Sequence, residues 1–218
     1  MSYGPNEPSQ LPSLINYVTE RTMVAIRSCT FAPGVEETCL PSIDDFILYV
    51  VTRSYTTPPE LIMCVVYLSR FQERLPPTGV TMRPSTPHRI FLAALILAHK
   101  VYNDDSVNNT CWAECSGFPE YDFAGFSNVE VNLIEKQFLA LLNWNVHISA
   151  DLQSRVGLVT VVSASIGGKA PHRNCGIASP ALCRATMKSR CIINYPPCND
   201  PTHCNVLLST NFSSHRTT

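Results

Sequence analysis

The stretch Arg89-Ile90-Phe91-Leu92-Ala93-Ala94-Leu95-Ile96-Leu97-Ala98-His99-Lys100 decides the fold. It is apolar almost all the way round a helix, and a helix of that kind is buried on every side. It is therefore expected to be the central element of an all-α core, with other helices packed around it. Thr86 before Pro87 marks its start.

The neighbouring segments supply those helices. Thr57-Pro58-Pro59-Glu60 combines a capping hydroxyl, prolines in the first turn and a Glu three residues on that reaches back to the cap. Behind it Leu61, Cys64, Val65, Leu68, Phe71 and Leu75 recur at helical spacing, until Pro76-Pro-Thr-Gly79 stops the pattern. Ser127-Asn-Val-Glu130 is a second capping box, with Phe126 and Val131 as its hydrophobic staple, and this helix is expected to run to about Trp144. A further helix is predicted from after Ser42 to about Ser54, and a short one around Cys111 to Cys115. With a helix from Leu14 to about Ile26 in front, the division predicted is an N-terminal extension over 1–41, a unit of five helices over 42–150, and an irregular, poorly ordered tail over 151–218.

Composition excludes several classes of function. A formal net charge of -1 and a pI near 6.6 give no basic footprint for nucleic acid. No charged and apolar leader opens the chain, and the run Ile90 to Ala98 is too short to span a bilayer, so no membrane partner is expected. A soluble, intracellular chain follows as the expectation, and its ten cysteines are then not a disulfide framework. Cys191, Cys198, His203 and Cys204 lack the paired short spacing of a structural zinc site. No phosphate loop, nucleophile elbow or H-E-x-x-H is present, so neither catalysis, metal nor cofactor is expected. The glycosylation patterns at Asn108 and Asn211 are set aside.

Two charges stand out against this background. Glu135 shares one helix face with Val131, Leu139 and Leu142, and Lys100 stacks over Ala93, Ile96 and Leu97. Burying either ion alone costs several kcal/mol, so such groups pair and bond to something specific. The plainer readings are that Lys100 reaches solvent or pairs with Asp104, and that Glu135 lies at the stripe's edge. Glu130 is accounted for by capping, and His99 reads as a structural histidine.

The segment His88 to Lys100, followed by Asn103-Asp-Asp and Cys111-Trp-Ala, together with Phe126 to Val146, resembles the cyclin box. It is most similar to the PCL group of fungal cyclins, over about Phe46 to Ile148. The resemblance implies a single box of five helices around a central one, and a non-catalytic regulatory subunit that binds and activates a cyclin-dependent kinase in cell-cycle or nutrient signalling, in nucleus and cytoplasm. It implies that Lys100 and Glu135 are the pair that bonds main-chain groups beside the kinase's regulatory helix. It also implies that Leu139, Trp144 and Val146 are apolar positions receiving that helix.

Two departures accompany the likeness. The substrate-docking motif of many cell-cycle cyclins is not recognisable in Asp44 to Ser54, and the helical pattern fails at about Val156. The second is read as an altered or mispredicted reading frame, such as an unspliced intron. The alternatives are a truncated box that activates nothing and a cyclin-fold transcription adaptor, which would need a basic face and usually two boxes.

Overall fold

Every residue from Thr86 to Ala98 is buried, on all sides of its helix. The computed structural model describes residues 11–32, 39–76 and 80–149. Its elements are α1 (Leu11–Ala25), β1 (Thr30–Phe31), α2 (Ile43–Arg53), α3 (Pro58–Arg74), β2 (Thr81–Met82), α4 (Thr86–Tyr102), α5 (Asn109–Ser116), a 3-10 turn (Pro119–Tyr121) and α6 (Asn128–Leu141). Helix α4 packs against α1, α2, α3 and α6, which is the central position that its apolar surface requires. The predicted tail, with Cys191, Cys198, His203 and Cys204, lies outside the described residues.

Local chemistry sets the helix ends. Ser42 caps α2, its Oγ accepting from the Asp45 N–H at 3.2 Å, and Asn108 caps α5, its Oδ1 accepting from the Cys111 N–H at 3.1 Å. Helix α3 opens with Glu60 accepting the Thr57 hydroxyl at 2.6 Å, and α6 with Ser127 and Glu130 bonding each other's backbone N–H. Helix α4 begins at Thr86, as the sequence predicts, with Ser85 as its cap residue, and the Thr86 Oγ1 accepts from the Arg83 N–H at 3.1 Å.

Helix α6 ends at Leu141, short of the expected Trp144. Asn143 and Trp144 take left-handed φ values of 51° and 58°. The Trp144 N–H reaches back to the Leu139 carbonyl at 2.9 Å, and the Asn143 N–H to Ala140 at 2.9 Å. This is the paired reverse bonding of a Schellman end, and Asn tolerates the left-handed position that starts it. Helix α2 closes the same way, with Tyr55 at φ 54° and the Thr56 N–H bonded to Val51 at 3.1 Å.

The helix expected from Leu14 to about Ile26 is present as α1, but its packing into the core and a short sheet had no counterpart in the sequence reading. Helix α1 lays Leu14, Ile15, Val18 and Ala25 into the same core as α3 and α4. Strands β1 and β2 pair in parallel, Thr30 opposite Thr81 and Phe31 opposite Met82. At two residues each, they are too short for the alternation that identifies a strand.

Candidate functional site

Helix α4 delivers Lys100 in its last turn, where a cation suits the helix dipole. Helix α6 delivers Glu135 from its apolar face, and the carboxylate is 1% exposed against 8% for the lysine side chain. Lys100 Nζ donates to Glu135 Oε1 at 2.7 Å and to Asn109 Oδ1 at 2.9 Å. Asn109 Nδ2 in turn donates to Glu135 Oε2 at 2.6 Å and to Asn132 Oδ1 at 2.7 Å. Three helices thus meet in one hydrogen-bonded cluster, and Asp104 is not Lys100's partner.

An ammonium carries three protons, and two are used here. These bonds leave the third proton uncommitted. Beside it Val101 and Tyr102 are 37% and 47% exposed, so the pair lies at the rim of the helix bundle.

The other positions singled out from the sequence divide. Leu139, one turn beyond Glu135, belongs to the core and is 1% exposed. Trp144 and Val146 are partly buried and pack against that core from the chain that follows α6. This chain is held down on α3: Tyr67 donates its hydroxyl to the Val146 carbonyl at 2.7 Å. Arg70 donates to the Asn145 and His147 carbonyls at 2.7 and 2.8 Å. Burial pushes the Tyr67 phenol up, outweighing the opposing pull of Arg70, and so keeps the proton that this bond needs.

A second buried cluster adjoins the first. Glu60, besides capping α3, accepts from Asn103 Nδ2 at 2.6 Å and lies 3.6 Å from His99 Nε2. The His99 ring meets Trp112 edge to face at 5.4 Å. Burial lowers the His99 pKa below its usual 6.5; Glu60 works against this, and Lys100 adds to it. The structural reading of His99 and the capping role of Glu60 both hold, with an added link to the turn of chain that carries Lys100.

Sequence reasoning missed Asn109, Asn132 and Arg89. Asn132 had a signal, since it precedes Glu135 by one helical turn on the same face. Asn109 had none, because its neighbour Asn108 offers the same side chain and takes the cap. Arg89 bonds Glu130 at 3.0 Å and stacks over the Phe126 ring at 4.5 Å, giving Glu130 a second structural role. Among the described residues no three His, Cys, Asp or Glu side chains group to hold a metal ion, and no helix is long and apolar enough to cross a membrane.

Comparison with known proteins adds a family to this geometry. The family model described as Cyclin matches residues 41–146. The chain is similar to PHO85 cyclin-1 of Saccharomyces cerevisiae, with 35% identity over 63% of this chain and 49% of the relative. It is 37% identical to PHO85 cyclin-2 of the same yeast over 51% of this chain and 34% of that one. PHO85 cyclin-9 gives 36% over 50% and 34%. The chain therefore spans about half or less of the length of the curated relatives it matches. No solved structure matches it.

Proposed function

Since residues 41–146 place this chain in the cyclin family, we propose that it is the regulatory subunit of a cyclin-dependent serine/threonine kinase, acting in nucleus and cytoplasm in cell-cycle or nutrient signalling. The observation that carries the reading is the Lys100–Glu135 pair, closed at 2.7 Å between two helices at the rim of the domain. A buried ion pair adds little net stability for its cost, so its use lies in specific recognition. Its free ammonium proton and carboxylate lone pairs suit the main-chain groups of a partner. The names of the yeast relatives point to PHO85 as the kind of kinase concerned.

In this reading the kinase's regulatory helix lays its apolar side on Trp144 and Val146, which pack against the core to which Leu139 belongs. The charge pair fixes the depth and register of that helix. Binding favours the kinase conformation whose catalytic Lys–Glu pair is assembled, a population shift driven by differential affinity.

The test is capture of purified PHO85 kinase by the tagged chain. Lys100→Ala and Glu135→Ala are expected to retain about tenfold less kinase or worse, at near wild-type helicity, as befits loss of a buried charge pair. Undiminished retention by both variants would remove the basis for the reading.

A further inference from the structure

We infer that Asn109 is a positioning residue for the kinase grip, its amide holding the Lys100 ammonium and the Glu135 carboxylate in register; this rests on the functional reading above. The argument is one of donors and acceptors. Asn109 is 7% exposed, and its Oδ1 accepts from Lys100 while its Nδ2 donates to Glu135 Oε2 and Asn132 Oδ1. Both amide protons are used. A flipped amide would turn its NH2 toward the ammonium and its oxygen toward the carboxylate, opposing both contacts, so only one orientation fits.

The consequence for binding is geometric. An ion pair alone leaves Lys100 Nζ free to slide between the two carboxylate oxygens. With Oε1 assigned to the lysine and Oε2 to the amide, the ammonium's position is fixed by two acceptors. Its third proton then has one direction, set before the partner arrives. Helix α5 supplies this because Asn108 caps it and leaves Asn109 as its first residue. Asn132 holds the amide from the far side, one turn ahead of Glu135 on α6.

Asn109→Asp tests this with a side chain of the same shape. It replaces the donor facing Glu135 with an acceptor, so two carboxylates oppose each other across one ammonium. Acidification should add one proton to that pair and restore the donor. The charged neighbours on the packed elements are His99 of α4 and Glu60 of α3, and the wild-type curve controls for their titration.

The readout is retention of purified PHO85 kinase between about pH 5.5 and 8, with thermal melting alongside. Asn109→Asp is expected to bind about tenfold weaker than wild type or worse at the alkaline end, and to recover as pH falls. Asn109→Ala should be weak throughout, with no recovery relative to wild type. A merely structural asparagine would not produce recovery in the Asp variant alone. Wild-type binding by Asn109→Asp at all pH values, or failure of both variants to fold, overturns the inference. Lys100→Ala, run in parallel, separates the two claims: if it binds normally the grip itself is absent, whereas if it fails and Asn109→Asp does not, only the role of Asn109 falls.

Discussion

The two ends of α4 each tie that helix to α6 with a charge pair, and they do it differently. At the N-terminal end Arg89 Nη2 meets Glu130 Oε1 at 3.0 Å, with Glu130 40% exposed. Glu130 Oε2 accepts from the Ser127 N–H and hydroxyl, each at 2.9 Å, and the guanidinium lies over Phe126 and bonds Ser85. Those contacts account for Nε and Nη2 of Arg89 within the fold, while its Nη1 is buried with no hydrogen-bond partner among the described residues. At the C-terminal end Lys100 and Glu135 are 8% and 1% exposed, and bonds within the chain use two of the three ammonium protons. The first pair is a clip between helices; the second is a more deeply buried and costlier arrangement that leaves one ammonium proton unused by the bonds described.

The comparison breaks most readily at Glu135. Removing one member of a buried pair strands the other, at a cost of about 3–5 kcal/mol. Glu135→Ala should therefore lower the urea midpoint far more than any change at Glu130. Replacing both charges, Lys100→Met with Glu135→Leu, should recover part of that stability: apolar residues of similar volume often substitute for a buried pair at no net loss, but the buried Asn109 amide loses its bonds to Lys100 and Glu135. Kinase retention should stay lost. A double variant that binds kinase normally would mean that the C-terminal pair, like its N-terminal counterpart, only holds helices together.

Glu130→Ala comes next in size. It removes a capping partner and the Arg89 contact, together worth about 1–2 kcal/mol, and kinase retention should not change. Its pH dependence sharpens the contrast. Burial pushes the Glu130 carboxyl up, but the Ser127 N–H and the Arg89 guanidinium together hold it below its usual 4.5. A carboxylate with a depressed pKa contributes stability that is present above the unfolded value and lost as pH falls through the folded one. Wild type should thus lose more stability below about pH 4.5 than Glu130→Gln does, as read from urea midpoints.

The same contrast explains how much could be read from sequence. The central helix was legible because unbroken apolar sequence leaves a helix no solvent side, and the capping boxes at Thr57 and Ser127 were legible because they are local. Lys100 and Glu135 were visible as charges in apolar stripes, and the structure brings them together. Asn109 was not visible, since an asparagine in a polar connection has no pattern to violate. The stop at Leu141 was hidden for a related reason: Asn143 can either continue a helix weakly or turn left-handed, and contacts elsewhere decide. Arg89 and Glu130 are far apart in sequence, so their pairing needed the packing angle of two helices.

The smallest expected effect lies beside the C-terminal pair, at His99. Its folded pKa is lowered by burial and by Lys100, against the pull of Glu60. The neutral ring is thus favoured in the folded chain, and the unfolded chain binds more protons between the folded pKa and 6.5. The contribution to stability is fully present above 6.5 and is lost as pH falls through the folded value. His99→Gln should remove that slope from the urea midpoints. Lys100→Met offers a finer reading by NMR titration of the imidazole: taking the ammonium away should raise the His99 pKa toward its usual value. Substituting Arg89, at the other end of the helix, should leave that titration where it is. If both substitutions move it equally, the ammonium's local field is not what His99 senses, and the separation between the two ends of α4 is weaker than their hydrogen bonds imply.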